Sequence, residues 1–360
     1  MQRSLAAAAF AGLLLTGCTA HQIGPGAVRT ARFDYGEALV RSWNEQLLLN
    51  LVRLRYRDNP LFLEVGSVVT QYQLGLNGGV SGHAVTSASG GDVTVNGTAA
   101  YVEQPTITYA PLQGEGFVAR LLSPISPANL VLLSQSGWSI ERLLLCCVQK
   151  VNDLHNATGA AGPTPDYVPS YADFHRMAQQ LRKLQIAGLV EAEMSEDQKT
   201  ILLHLETPPA GPAAAASAEV HRLLGLEPEA TALRVTPALR RKDRDEIAVT
   251  GRSLLAVLFY FSQAVEAPES DEKAGKVTVT RQENGERFDW QAATGNLLRI
   301  HSSAEPPAEA AVRVRYRGSW FWIADDDLSS KTTFTLLTYL FSLKAGSKEM
   351  KEPLLTLGVH

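Results

Sequence analysis

Val312-Arg313-Val314-Arg315-Tyr316-Arg317 is the stretch whose residue types and spacing most invite chemistry. Alternate residues of an extended strand share a face, so Arg313, Arg315 and Arg317 are expected on one side. Trp320 and Trp322 are expected on the other, if the strand continues without a bulge. A guanidinium grips carboxylate or phosphate through two parallel hydrogen bonds. The row is therefore a candidate contact for an anionic ligand or a partner protein, and the plainer alternative is a solvated face opposite a packed one.

Other reactive residue types do not assemble into a recognisable constellation. The sequence holds no G-x-S-x-G, Walker loop, H-E-x-x-H or Cys/His zinc spacing. No two of the eight histidines lie within five residues of each other. A triad built from distant residues stays open, because triads are defined by geometry. Cys146 and Cys147 are adjacent inside an expected helix. Their Cα atoms lie ~3.8 Å apart, below the usual disulfide window of ~4.4–6.8 Å, so two buried reduced thiols are expected, with a vicinal disulfide or soft-metal site as the alternative. Asp325-Asp326-Asp327 is followed by Leu328-Ser329-Ser330, which breaks the alternating ligand pattern of a calcium loop; helix capping is the better reading. Gly114-Glu115-Gly116-Phe117-Val118-Ala119 fits G-x-G-x-x-A, but Pro124 and Pro127 break the helix behind it within ten residues, so a turn and helix start are expected rather than a dinucleotide site. No metal and no cofactor are expected.

Cys18 stands in a different setting. Met1-Gln2-Arg3 carries one positive charge, and Leu5 to Leu15 runs apolar. Those eleven residues, at ~1.5 Å each, cannot cross a ~30 Å hydrocarbon core, and read as the apolar region of a secretory signal. Leu15-Thr16-Gly17-Cys18 comes next and resembles the lipobox of bacterial lipoproteins. The resemblance implies a diacylglycerol on the Cys18 thiol and cleavage before it by signal peptidase II. With Thr19 rather than Asp after the cysteine, it also implies sorting to the outer membrane, with the chain tethered by lipid and facing the periplasm. An ordinary signal with an incidental cysteine is the alternative. The resemblance covers the export segment alone.

The elements that must position these residues are set by pattern. The chain has 360 residues, 45% hydrophobic and 19% charged, which excludes disordered and fibrous classes. A formal net charge of −4 lacks the basic footprint of a nucleic-acid binder, so no nucleic-acid partner is expected. The longest apolar run beyond the leader, Leu254 to Phe261, has eight residues and reads as a buried core element rather than a membrane span.

A helix is expected from about Phe33 to Tyr56, with Leu39, Trp43, Leu47, Leu51 and Leu54 on one stripe and Arg53, Arg55 and Arg57 capping and solvating its end. Leu61 to Leu76, Val93 to Val95 and Ala99 to Tyr109 read as strands, with the Gly/Ser/Thr/Val tract Asn77 to Gly97 between the outer two read as a polar excursion that is either disordered or an interaction element. Residues 168–207 read as a helix followed by a hairpin, an order that resembles the back half of a winged helix. Pro208 to Ala218 reads as a linker. Asn284-Gly285 signals a hairpin between Lys276–Gln282 and Glu286–Trp290.

The fold class expected is α+β, helices with small antiparallel sheets in two or three domains. The divisions are 1–17 signal peptide, 18–32 lipidated tether, 33–156 N-terminal α+β domain with a Gly-rich β excursion, 168–207 winged-helix-like module, and 218–360 C-terminal α+β domain. The functional expectation is a non-catalytic outer-membrane lipoprotein that holds or assembles an envelope protein complex. The alternatives are an anchored hydrolase of envelope polymer or lipid, and a binder of an anionic ligand such as a lipid headgroup or acidic glycan.

Overall fold

A computed structural model describes residues 25–82, 93–157, 168–194 and 200–345. The leader and Cys18 lie outside these residues, as do residues 195–199 and 346–360. The chain divides into two units, Leu61–Phe117 and the remainder, and the fold is α+β.

The smaller unit is a two-stranded antiparallel ribbon of β1 (Leu63–Gly82) and β2 (Val93–Pro111). The register runs from Leu63 opposite Pro111 to Gly82 opposite Val93, with one bulge between Val65 and Ser67. Val93–Val95 is strand as expected, and part of the tract expected as a loop is strand too: Asn77–Gly82 pairs residue by residue with Val93–Thr98. The glycines weakened the strand reading of the sequence because they lower intrinsic strand propensity; the continuous backbone ladder outweighs that here. The loop residues 83–92 lie outside the described residues. At the base of the ribbon the Leu112 amide donates to the Phe62 carbonyl at 2.9 Å, and the Phe62 and Phe117 rings meet at 5.9 Å.

The larger unit begins with α1 (Pro25–Arg55). Its C-terminal half is buried at Leu47, Leu48, Leu51, Val52 and Leu54, whereas Val40 is exposed. Helices α2 (Glu115–Leu122), α3 (Pro127–Gln135) and α4 (Ile140–Cys147) come after the ribbon, the last two opened by Ser126 and Ser139, whose hydroxyls accept from the amides of Asn129 and Arg142. Gly114, at φ +91°, makes the turn before α2. Next come β3 (Val148–Val151), β4 (Leu154–His155), α5 (Ala172–Ile186), β5 (Val190–Met194) and β6 (Ile201–Leu205). They lead into α6 (Pro212–Leu224), β7 (Ala232–Thr236), β8 (Glu246–Gly251) and α7 (Leu254–Ser262).

These strands form one six-stranded sheet, β4-β3-β8-β7-β6-β5, antiparallel except for the parallel pair β7–β8. Two expectations change. The sheet draws strands from all three of the segments 33–156, 168–207 and 218–360, so they are not separate domains; unpaired strand edges are satisfied across segments that composition alone separates. The hairpin β5–β6 is likewise no freestanding winged-helix-like module, because β6 pairs onward with β7. The linker expected at Pro208 to Ala218 is mostly helix. Gly211 turns at φ +90°, Pro212 takes the first helical turn and the alanine run propagates it.

The C-terminal part holds α8 (Glu269–Lys273), α9 (Trp290–Ala293), a three-stranded sheet of β9 (His301–Ser303), β10 (Val312–Tyr316) and β11 (Ser319–Ile323) in the order β10-β11-β9, and α10 (Leu328–Ala345). Around Asn284-Gly285 the turn forms, but its flanks make only the Arg281–Arg287 bridge rather than two strands. Asp289 caps α9 by accepting from the amides of Gln291 and Ala292, which ends the extended run early. Helix α7 is central as its apolar run predicts, with Val257, Leu258, Tyr260 and Phe261 buried.

The junction between β8 and α7 is locked by Arg252. Its side chain is buried, and it donates to the carbonyls of Leu145 (2.7 Å), Cys146 (3.1 Å) and Ala157 (2.6 Å). Leu145 and Cys146 belong to the last turn of α4, where carbonyls run out of partners within the helix. The guanidinium lies 3.8 Å from the centroid of the Tyr260 ring, and the Tyr260 hydroxyl donates to the Ala293 carbonyl at 2.8 Å. Arg252→Lys should destabilise the protein by about 3–5 kcal/mol, because an ammonium cannot reproduce the planar fork and leaves buried carbonyls unpaired. Urea unfolding at neutral pH reads this as a lowered midpoint. Gly251→Ala should be at least as damaging, since a Cβ there would lie 2.1 Å from the Ile125 carbonyl oxygen.

Candidate functional site

The arginine row resolves differently from its sequence reading. β10 and β11 are joined by Arg317 and Gly318 at φ +48° and +92°, the two left-handed residues of a tight hairpin turn. Residues opposite one another in an antiparallel pair share a face. The register sets Arg313 opposite Trp322 and Arg315 opposite Trp320, so the arginines and tryptophans lie on the same face rather than on opposite ones. Val312 and Val314 pair with Ile323 and Phe321 on the buried face. Counting alternation straight through the turn inverts the second strand, which is why the sequence reading missed this.

Arg317 does not share the face. It donates to Asp58 Oδ2 at 2.8 Å and lies 5.1 Å from the Tyr56 ring. The Tyr316 hydroxyl donates to the same Asp58 oxygen. This corner also holds the end of α1: Arg55, expected to be solvated, is buried and donates to the Thr278 carbonyl at 2.9 Å. The Tyr56 hydroxyl donates to Asp271 Oδ2 at 2.7 Å, and Lys276 Nζ donates to Asp271 Oδ1 at 2.6 Å. The hydrogen bond from Tyr316 and the Arg317 cation hold Asp58 below the usual carboxylate range. Bonds from Lys276 and Tyr56 do the same for Asp271.

The face that remains carries two guanidiniums, two indoles and an imidazole. Arg313 and Arg315 are exposed, while Trp320 and Trp322 are half-buried. Arg313 donates to the Pro307 carbonyl at 2.9 Å and lies 5.8 Å from the Trp320 ring. β9 adds His301 opposite Trp322 and Ser303 opposite Trp320, with the imidazole and indole centroids 4.6 Å apart. Glu266 steadies this edge, accepting from Arg299 Nε at 2.6 Å and lying 3.2 Å from His301 Nδ1. Sequence reasoning missed His301 and Ser303. Their only local signal is the strand pattern near Leu297–Ser302, which carries no information about which strand pairs with them. Chemically the face offers charge for carboxylate or phosphate, and flat apolar surface between the charges.

A hydrolase would need a pocket with a perturbed acid or histidine. The cleft between α3, α4, α5 and the six-stranded sheet is lined by Leu130, Val131, Leu143, Met177 and Leu203, with Ser134 and Gln185 as its polar members. His175 is not among its lining residues; burial pushes its imidazole down to about 4. Its ring meets Tyr171 edge-on, with centroids 4.7 Å apart. Cys146 and Cys147 are buried free thiols, and the Cys146 neighbour together with burial pushes the Cys147 thiol well up. Asp327 caps α10 by accepting from the Ser330 amide at 3.0 Å and its hydroxyl at 2.6 Å, and Asp325 pairs with Lys331 at 2.7 Å. Among the described residues no group of three His, Cys, Asp or Glu is placed to hold a metal.

No protein-family model, curated protein or solved structure matches this chain.

His175 gives a pH signature with a definite sign. The fold holds it neutral, whereas the unfolded chain binds a proton below ~6.5. Stability is therefore lost as pH falls from about 6.5 toward 4, and below that the depressed carboxylates Asp58 and Asp271 protonate and remove more. In urea midpoints measured from pH 7 down to about 2, His175→Phe should flatten the part of the decline above about pH 4 and leave the part below it in place.

Proposed function

We propose that this chain is an outer-membrane lipoprotein, anchored through Cys18 and facing the periplasm, that holds an envelope protein by the exposed face of β10-β11-β9. The observation that carries the partner reading is the same-side placement of Arg313, Arg315, Trp320 and Trp322. A free surface that alternates guanidinium with indole suits an acidic segment bearing aromatic or apolar residues, and Trp and Arg dominate binding energy where proteins meet. The anchor rests on the lipobox-like Leu15-Thr16-Gly17-Cys18. An anionic small ligand is a second reading, favoured by the same two guanidiniums. Arg317 is left out of both, since Asp58 engages it.

Co-purification tests the partner reading. The full chain carries a C-terminal tag and is extracted from native membranes in mild detergent. A protein at near-stoichiometric yield should be retained by the wild type and fall at least tenfold with Arg313→Ser/Arg315→Ser, the effect of about 1.4 kcal/mol. Equal recovery from both forms, or a lone chain from the wild type, would sink it. For the anchor, the wild type should incorporate radiolabelled palmitate when expressed in a lipoprotein-processing host, and Cys18→Ala should not. Label retained by Cys18→Ala, or absent from the wild type, would remove the lipid from the account.

A further inference from the structure

The β1–β2 ribbon sorts its residues by face with unusual strictness. From Ser67–Thr108 onward the register is continuous, so alternate pairs fall on opposite faces. One face carries Leu74–Tyr101, Leu76–Ala99, Gly78–Gly97, Val80–Val95 and Gly82–Val93. The other carries Gln73–Val102, Gly75–Ala100, Asn77–Thr98, Gly79–Asn96 and Ser81–Thr94. The first is apolar or small at all ten positions, and the second is mostly amide, hydroxyl and glycine. No charged residue and no proline occurs in 73–82 or 93–102; Glu103 and Pro105 come directly after them, and Tyr72 stands at the same end.

Length matters as much as pattern. Each strand of this band has ten residues, about 34 Å at ~3.4 Å per residue, or ~26 Å of depth when tilted by ~40°. Membrane-spanning strands of closed barrels have about 9–11 residues, alternate apolar with polar, and place aromatic residues at the border. A water-soluble ribbon has no reason to keep one apolar face and no charge over this length, and two strands alone are marginal in water.

We propose that this hairpin inserts into a lipid bilayer and closes with the hairpins of further copies of this chain into a transmembrane β-barrel, apolar face to lipid and polar face to a water-filled lumen. The second copy is required by hydrogen bonding. Among the described residues, 73–82 and 93–102 pair with each other in a two-stranded sheet, so each strand of this band has one outer edge open to a further strand. In hydrocarbon each unpaired N–H or C=O group costs several kcal/mol, and only a closed barrel removes every edge. Two strands per copy make the strand number even, and a barrel of roughly eight strands would take about four copies. Among the described residues no helix is long and apolar enough to cross a membrane, so the hairpin is the element of the described chain suited to do so. The proposal goes beyond the partner face and uses none of its residues.

The test uses the full-length chain, purified in detergent and added to phosphatidylcholine–phosphatidylglycerol vesicles filled with a self-quenching dye. Oligomeric state is read in parallel by cross-linking, and conductance in planar bilayers of the same composition. The wild type should release dye, give discrete conductance steps and form a closed multimer. Val80→Asp/Val95→Asp, on the apolar face, should cut release at least tenfold. Asn77→Asp/Asn96→Asp, on the polar face, should keep release and raise cation over anion selectivity severalfold. All five tryptophans lie outside Leu61–Phe117, so their emission reports whether the rest of each variant is folded. If the double aspartate variant loses that signal, the milder Val95→Asn carries the same comparison. Wild-type protein that neither leaks vesicles nor multimerises overturns the proposal. So does a multimer that leaves vesicles intact, or release that responds equally to both faces. Normal dye release from Arg313→Ser/Arg315→Ser with lost partner recovery keeps this outcome separate from that of the partner face.

Discussion

A buried guanidinium held by backbone carbonyls organises the larger unit. Arg252 lies where β8 becomes α7, and its donors reach the carbonyls that end α4 and the carbonyl of Ala157. Its own amide donates to the Cys147 carbonyl at 2.7 Å, and its carbonyl accepts from the Ile125 amide at 2.9 Å. The end of α4 concentrates partial negative charge, and the Tyr260 ring adds its face, so dipoles balance the cation. Asn156 completes the arrangement by donating to Leu145 and Val148. Tyr260 then passes the linkage to Ala293. Sheet, helix end and C-terminal part are therefore fixed to one residue, and the 2.1 Å approach at Gly251 shows how little room the junction leaves.

A second polar corner does the same for the end of α1. Apolar burial holds this helix from Leu47 to Leu54, but its direction is set by Arg55, Tyr56 and Asp58, which reach Thr278, Asp271 and the β10–β11 turn. The same contacts decide which arginines are free. Arg317 is drawn off to Asp58, and what stays exposed is the pair Arg313 and Arg315 beside two indoles. The candidate binding face is thus a by-product of how the helix end is satisfied.

The hairpin obeys a different physics. The larger unit is specified by burial and by a few buried polar anchors. The ribbon is built on backbone pairing over nineteen register positions, along which apolar and polar residues alternate. Glycine and small polar residues would be poor choices for a packed core, yet they suit a sheet whose two sides meet different solvents.

Much of this was legible in the sequence. The α+β class, the central helix at Leu254–Phe261, the stripe of α1, the helix-capping acids at Asp325–Asp327 and the buried cysteine pair all come from local rules, because helix periodicity and capping act within a few residues. The lipobox-like segment is local too. The tertiary structure decided what depends on distant partners. It merged three segments into one six-stranded sheet, and turned the alanine-rich linker into α6. It set Arg313 beside Trp322 by a two-residue turn, sent Arg317 to Asp58, and brought His301 next to Trp322. It also extended the glycine-rich tract into a paired strand, where register sorts the faces. Register, strand order and the partners of buried polar groups are long-range hydrogen-bonding choices, and a single sequence records which residues need partners without recording which ones they find.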